Sequence, residues 1–302
     1  MVKRCGLLLW LVLCATAPAW GRGWEPLGYT LRMNAFGTSN AFPGSPLVAP
    51  DNGIEPRGAL SSGLRVSKAL KLGVVVSAGG NVQRVYTRGD YGWLGLGTLL
   101  RRHATTLTAD GEWTPKRNKF PTNLDEGGEY AETKLTLGLR QNLGSRTRLR
   151  MDGTLDRDKY VHTLSERDVH GRELFASVNV SCAPGIELRA ETSVGRDVAN
   201  ASRYDINAHW AGAGVVRSDS LWRSDLSVRS GVRSYPHNIP GASNYRRRDQ
   251  SIEIRLRVTR ALGPGLSAVA GASLADKTST RDDLKFTART FTLGFEWTGG
   301  GK

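Results

Sequence analysis

Cysteine is scarce in this chain of 302 residues, which contains only three. Cys5 and Cys14 lie in an N-terminal segment that we expect to be removed, which leaves Cys182 without an intramolecular partner. A secreted protein of this size usually needs disulfides or another source of stability. The scarcity of cysteine therefore excludes a disulfide scaffold, whereas a closed barrel, in which every strand is paired, would supply stability without one.

Long apolar runs are also missing. After residue 20, no stretch approaches the ~20 apolar residues that a spanning helix needs. This excludes a helical membrane protein. Barrel strands are short, alternating and of low average hydropathy, so a membrane barrel and a soluble β-protein both remain compatible with the composition.

The N-terminus has the features of a secretory signal. Lys3 and Arg4 precede an apolar run at 7–12, and Ala17-Pro18-Ala19 offers small residues for cleavage. We predict a signal peptide at 1–19 and a single barrel domain at 20–302. The alternative is a buried N-terminal helix of a cytosolic protein.

Acidic residues are outnumbered, with 28 Asp and Glu against 42 Lys and Arg and a formal net charge of +14. Such an excess suits nucleic acid, anionic lipid or anionic solutes. A secretory signal argues against nucleic acid, so we expect no nucleic-acid partner.

Residues for catalysis or metal binding are sparse. No two of the five histidines stand at metal-ligand spacing on a shared strand face. No Gly-x-Ser-x-Gly motif is present. The sequence predicts no catalytic site, no metal and no cofactor. A membrane hydrolase remains an alternative, because fold alone does not decide function. His209 is expected on the charged face with Asp205 and Asn207.

Apolar and charged residues alternate along most of the chain. In 251–259, Ile252, Ile254, Leu256 and Val258 are separated by charged or polar residues. Alternate side chains of a strand point to opposite faces, so this pattern predicts one apolar and one charged face. About fourteen such segments occur, near 27–37, 57–68, 72–87, 91–102, 104–116, 130–142, 146–160, 169–182, 186–199, 203–217, 221–234, 248–261, 265–279 and 283–297. Merging two weak segments would give about twelve.

The connections between segments alternate in length. Tight turns are expected near 69–72, 143–145, 183–185, 218–220 and 262–265, with longer connections at 38–56, 117–129, 161–168 and 235–247. Outer-membrane barrels have this alternation, and a soluble β-sandwich does not predict it. The sequence therefore predicts an all-β, transmembrane, antiparallel up-and-down β-barrel of about 14 strands (roughly 12–16).

Aromatic residues near segment ends are expected to form interfacial girdles outside such a barrel. They are Tyr29, Trp93, Trp113, Tyr130, Tyr160, Trp222, Tyr235 and Trp297.

If the apolar face meets lipid, the charged face lines the lumen. The basic residues expected there are Arg146, Arg148, Arg150, Arg189, Arg223, Arg229, Arg233, Arg255 and Arg257. We expect acids to be interleaved less densely near these arginines, which would favour anions in the pore. Bracing of the wall by ion pairs is the alternative. Loop 38–56 is the first candidate for an inward-folded constriction, and loop 235–247 is the second.

The last segment ends in Phe291-Thr-Leu-Gly-Phe-Glu-Trp297. Here the chain resembles bacterial outer-membrane β-barrel proteins of the porin type, and more loosely the barrel part of surface-lipoprotein assembly factors. The resemblance implies that Phe291, Leu293, Phe295 and Trp297 form the signal that barrel-insertion machinery recognises. The tail at 298–302 departs from the family, where the aromatic is usually the last residue.

These features predict a channel in a Gram-negative outer membrane, embedded in lipid and passing small polar or anionic solutes. The alternatives are a non-conducting structural or export-assisting barrel, and an outer-membrane hydrolase.

Overall fold

The computed structural model describes residues 28–39, 51–84, 90–119, 128–160, 162–237, 246–280 and 285–300. The expected signal peptide and the core of loop 38–56 lie outside these ranges. Within them, no helix is both long and apolar enough to cross a membrane.

Fourteen antiparallel strands form one closed barrel, in which each strand pairs with its sequence neighbours and β1 pairs with β14. The predicted all-β up-and-down barrel is therefore confirmed. The strands are β1 Gly28–Thr38, β2 Asp51–Arg65, β3 Leu70–Gln83, β4 Tyr91–Arg102, β5 Thr105–Lys119, β6 Gly128–Asn142, β7 Thr147–Tyr160, β8 Val169–Ala183, β9 Ile186–Ala199, β10 Ile206–Ser218, β11 Trp222–Ser234, β12 Arg248–Gly263, β13 Leu266–Ser279 and β14 Phe286–Gly299.

The connections alternate in length around the barrel, as the sequence predicts. Short connections join β2 to β3, β4 to β5 and each later pair in the same phase, with only 184–185 between β8 and β9. Longer connections lie at the opposite edge, such as 235–247 between β11 and β12. The start of β1 and the end of β14 lie at the edge with the short connections. We call this edge the turn end and the other the loop end.

Strand β2 begins earlier than the sequence suggests, at Asp51 rather than 57. Pro56 obscures this extension, because proline has no N–H to donate to a sheet. The structure accommodates Pro56 opposite Met33 of β1, while the pairing of β2 with β3 skips Glu55 and Pro56. The predicted loop 38–56 is thus too long at its C-terminal side.

The connection between β4 and β5 consists only of His103 and Ala104. His103 adopts a left-handed backbone conformation, with φ of 50°. Non-glycine residues seldom do so, and no glycine, proline or asparagine marks this turn in the sequence. That is why the split between these two strands is the weakest in the sequence pattern.

Conventional turn residues shape other connections at the turn end. Gly144, Gly185 and Gly265 adopt positive φ angles of 90°, 71° and 73°. In the β10–β11 turn, the Asp219 carboxylate accepts hydrogen bonds of 2.8 Å from the amides of Leu221 and Trp222. These two amides hold the pKa of Asp219 below its usual value.

The two faces of the barrel wall differ in chemistry. One face presents large apolar side chains that are exposed, such as Leu96 at 59%, Leu174 at 66% and Leu293 at 67%. The other face holds most of the buried residues, many of them polar, including Glu191 and Asp249. Side chains on a concave inner wall converge and lose exposed surface. The polar face therefore lines the lumen, and the apolar face points outward.

Candidate functional site in the barrel lumen

The structure places eight of the nine predicted basic residues on the inward face of a strand. Arg148 and Arg150 lie on β7, and Arg189 lies on β9. Strands β11 and β12 carry the others, namely Arg223, Arg229, Arg233, Arg255 and Arg257. Arg146 lies in the turn before β7.

Acidic side chains accompany these arginines more closely than the spacing in the sequence suggests. Arg150 contacts Asp152 at 2.5 Å, and Arg255 contacts Glu253 at 2.6 Å. Pairs also reach across an intervening strand, from Arg148 of β7 to Glu187 of β9 and from Arg257 of β12 to Glu296 of β14. Acids on the same or neighbouring strands therefore pair with several of the predicted arginines, and the sequence pattern of a single strand shows only some of these pairs.

A four-residue ion network crosses the inner surface of β10. Both terminal nitrogens of Arg189 donate to the Asp225 carboxylate, at 3.2 and 2.9 Å. The Nε of Arg229 donates to Glu191 at 2.6 Å, and Glu191 lies 3.5 Å from the Nε of Arg189. The side chain of Glu191 is only 3% exposed. This network ties β9 to β11 between the turn end and the middle of the lumen.

Two glycines of β10 make room for this network. A Cβ atom on Gly212 would lie 2.9 Å from the Cγ of Arg229, and one on Gly214 would lie 3.0 Å from a terminal nitrogen of Arg189. Both positions face inward between the paired strands. The alternating alanine and glycine of 211–214 thus combine a small outward face with clearance for the side chains of β9 and β11.

Aromatic rings interleave with the arginines on the same wall. Phe175 and Trp210 lie 5.7 Å apart between ring centroids. Arg150 lies over Phe175 at 5.4 Å, and Arg229 lies over Trp210 at 4.6 Å. Cation–π contacts of this kind hold guanidinium groups in fixed positions. The sequence alone does not single out these two aromatics. Phe175 shares its face with Glu173 and Ser177, but the inward neighbours of Trp210 on β10 are Ala208 and Gly212.

The predicted aromatic girdles are correct only in part. Trp113, Trp222 and Trp297 are exposed on the outward face, and Tyr29 packs edge-on against Trp297. The remaining four aromatics do not join them. Trp93, Tyr130 and Tyr160 face inward, where the two tyrosines stack at 5.1 Å, while Tyr235 stacks with Arg247 beyond the end of β11.

Charge is distributed unevenly along the lumen. We define two rings from the inward side chains in the first or last five residues of each strand. The turn-end ring contains the basic residues Arg32, Arg65, Lys71, Arg101, Arg140, Arg148, Arg150, Arg189 and Arg223, against the acids Glu187, Asp225 and Glu296. The loop-end ring contains the acids Asp51, Glu55, Glu132, Asp156, Asp158, Glu173, Asp197 and Asp249, against the basic residues Arg117, Arg233 and Lys277. The described lumen is therefore basic at one end and acidic at the other.

The inner surface of β2 to β4 has little charge away from its edges. Small residues such as Ser61, Gly63, Gly73 and Gly97 face inward there. A cavity of about 1010 Å³ opens at the turn end beside this wall. Residues of both faces line this cavity, such as Gly63 and Gly73 inside and Tyr29 and Trp297 outside.

The histidines do not form a site in the described chain. His209 and Asn207 face outward, contrary to expectation, while Asp205 accepts a hydrogen bond from the Ala199 amide and lies 3.5 Å from His237. Among the described residues, no group of His, Cys, Asp or Glu side chains could hold a metal ion.

The four residues of the expected assembly signal lie in one outward row on β14. Phe291, Leu293, Phe295 and Trp297 are 63%, 67%, 58% and 51% exposed. They face Gly37, Ala35, Met33 and Leu31 across the β1–β14 closure. The row is therefore available to lipid or protein along the closing seam.

Comparison with known proteins gives a match only in three-dimensional structure. No family model and no curated protein matches the sequence. OmpT, an outer membrane protein of Vibrio cholerae, aligns with a TM-score of 0.55 and 10% identity, over 93% of this chain and 99% of that chain. The outer membrane channel DcaP of Acinetobacter baumannii aligns with a TM-score of 0.54 and 11% identity, over 93% and 99%. An anion-selective porin from Comamonas acidovorans aligns with a TM-score of 0.51 and 8% identity, over 91% and 100%. The chain therefore has the fold of bacterial outer-membrane β-barrel proteins.

Proposed function

We propose that this protein is a channel of the Gram-negative outer membrane, through which small polar solutes diffuse. The arrangement of the wall carries this proposal, because exposed apolar side chains cover the outside and paired charges line the inside. Fourteen strands enclose a wider interior than the ~8 strands whose side chains fill a barrel. The channel matches among the similar structures support the same function by analogy of fold.

The proposed preference is for anions, and the turn-end ring supports it. Nine basic side chains face three acids there. Salt screens charges beyond a Debye length of ~8 Å, so local clusters matter more to a passing ion than the net charge of the chain. The acidic loop-end ring acts in the opposite direction. We propose that the turn-end ring sets the selectivity.

Replacement of Arg148 and Arg150 by Gln should move the reversal potential in a salt gradient toward cation selectivity. In the wild type, Arg148 contacts Glu187 and Arg150 contacts Asp152. The double variant therefore leaves the negative charges of both acids unpaired in the turn-end half of the lumen. The shift should be largest in dilute salt, where screening is weakest. Planar-bilayer recordings of single channels measure it.

The Arg102→Gln, Arg217→Gln double variant is the matched control, because both residues lie at the turn end but face outward. It should leave the reversal potential unchanged. A wild-type pore that is cation-selective would contradict the role of the turn-end ring. A folded barrel that conducts no ions would instead support a structural or export-assisting role, and turnover of phospholipid or peptide would support a hydrolase.

The proposed partners follow from this placement. Outer-membrane lipid would contact the apolar outer face, and barrel-insertion machinery would recognise the β14 row that ends at Trp297. Export through a cleaved signal peptide at 1–19 completes the proposal. No catalytic residue, cofactor or nucleic acid has a place in it.

A further inference from the structure

Basic side chains cluster on the outside of the barrel at the loop end of β7, β8 and β9. Arg157, Lys159, His170, Arg172 and Arg196 are all exposed there, and we call them the outer basic patch. Their strand positions place them on the same outward face as Leu155, Leu174 and Val194. The sequence shows the residues, but only the register shows that three strands bring them together.

The register sets like charges against each other. Arg172 stands directly opposite Arg196, and Arg157 stands opposite His170, the next outward residue before Arg172 on β8. Directly opposed residues have Cβ atoms about 4.5–5.5 Å apart, and like charges at such positions destabilise a sheet. A bound anion would remove this repulsion.

The described protein supplies no such anion. Arg157, Lys159, Arg172 and Arg196 make no ion pair within the ranges that the structure describes. The neighbouring acids Asp156 and Asp197 face the lumen. Outside the barrel, Glu129 of the adjacent β6 is held by Lys116 at 2.6 Å, and Glu166 of the β7–β8 connection is held by Arg203. The inner wall pairs most of its arginines with acids, whereas this outer patch does not.

The height of the patch on the barrel indicates which group could neutralise its positive charge. Leu155, Leu174 and Val194 are 59%, 66% and 55% exposed. Leu155 and Leu174 end the apolar band on β7 and β8, whereas on β9 Val198, which is 40% exposed, lies further toward the loop end. After the first three residues, the next outward residue toward the loop end is Arg157, Arg172 or Arg196 in turn. Basic side chains directly beyond an apolar band lie at the level of lipid headgroups.

We propose that the outer basic patch binds a phosphate-bearing lipid headgroup at the loop-end surface of the membrane. A phosphomonoester carries a charge of about −1.5 to −2 at neutral pH. One guanidinium group can donate two parallel hydrogen bonds to two oxygens of the same phosphate. Two or three arginines at one height would thus neutralise one or two phosphates. This inference rests on the proposed membrane placement of the barrel.

The test compares lipid binding by the wild-type barrel and by the Arg157→Gln, Arg172→Gln, Arg196→Gln triple variant. Folded protein in detergent is titrated with bis-phosphorylated lipid A, and the bound lipid is counted by native mass spectrometry. Each basic group near an anionic surface contributes about fivefold to binding, so the triple variant should bind on the order of 100-fold more weakly. Dephosphorylated lipid A should bind the wild type as weakly as the phosphorylated lipid binds the variant.

The matched control is the Arg102→Gln, Arg217→Gln, Arg260→Gln triple variant, which removes three exposed outward arginines at the turn end. It should retain wild-type binding. Equal binding by wild type and patch variant, or by phosphorylated and dephosphorylated lipid, would overturn the proposal. Full competition by equimolar inorganic phosphate would also overturn it, since the site would then bind free phosphate. Flotation with lipid vesicles is measured in parallel. A wild-type protein that does not float contradicts the membrane placement itself. Normal flotation, together with equal lipid binding by the wild type and the patch variant, contradicts only the role of the patch.

Discussion

Leu256→Arg should lower the free energy of unfolding by about 2–4 kcal/mol in a lipid bilayer. Leu256 lies near the middle of β12 on the outward face, opposite Leu226 of β11 and Ala272 of β13. An arginine there would replace an exposed apolar side chain at the depth where a bilayer holds least water. Denaturant unfolding of the barrel reconstituted in vesicles measures the loss.

Ser273→Arg is the matched control, because it introduces the same side chain at nearly the same height on the inward face. Ser273 lies directly opposite Arg255, whose partner is Glu253. A like-charged neighbour across the ladder should cost at most about 1 kcal/mol. The reciprocal change, Arg255→Leu, should also lower the free energy of unfolding only slightly. Similar losses from Leu256→Arg and Ser273→Arg would contradict the assignment of the two faces, because a one-residue slip of register exchanges them.

Glu191→Gln should lower the free energy of unfolding by roughly 1.5–3 kcal/mol, the range for a hydrogen bond to a charged group. Glu191 is nearly buried between Arg229 and Arg189, and neutralising it leaves two close guanidinium groups without their shared acid. The same change should move the reversal potential toward anion selectivity, since a negative charge leaves the lumen. Denaturant unfolding and bilayer recordings measure the two effects.

Glu296→Gln separates this network from an ordinary ion pair. Glu296 is 31% exposed and contacts Arg257 at 3.4 Å, away from the network. Such an exposed pair contributes about 0–1 kcal/mol, so its loss should be small. Equal destabilisation by the two variants would show that the contacts across β10 add nothing to the stability of the barrel.

The periodicity of two predicts the strands and both faces because it is a local property of each segment. The segment 251–259, for example, shows Ile254 and Leu256 on one face and Arg255 and Arg257 on the other, and the register has the same arrangement. The sequence is less informative where local signals conflict. Pro56 lies inside β2 despite its missing N–H, and the turn at His103 lacks the usual turn residues.

The lumen site depends on distances that no single strand encodes. Whether Arg189 meets Asp225 depends on the register of β9, β10 and β11 and on the small residues Gly212 and Gly214 between them. The opposite charges of the two ends are hidden for a related reason. Successive strands run in opposite directions, so the end of β6 and the start of β7 lie together at the turn end. Arg140 of β6 therefore lies beside Arg148 and Arg150 of β7, while Glu132 and Asp156 come together at the loop end.

Aromatic residues near strand ends occupy both faces of the barrel wall. Trp113 and Trp297 face outward, whereas Tyr130 and Tyr160 stack inside. Position along a strand does not determine which face a side chain occupies. The face is determined by whether the residue is an even or odd number of positions from the neighbouring outward apolar residues. This rule gives the wrong face beyond an irregularity such as the register shift between Thr114 and Arg117.

The proposed channel requires lipid around the apolar face and water in the charged lumen. Spin labels at each position from 252 to 258, in a Cys182→Ser background reconstituted in lipid vesicles, test it directly. Each label's exposure to oxygen, which partitions into lipid, is compared with its exposure to a water-soluble nickel chelate. Labels at Ile252, Ile254, Leu256 and Val258 should be accessible to oxygen, and those at Glu253, Arg255 and Arg257 to the chelate. Loss of this alternation, or a lumen face that the chelate does not reach, would contradict an open, water-filled barrel.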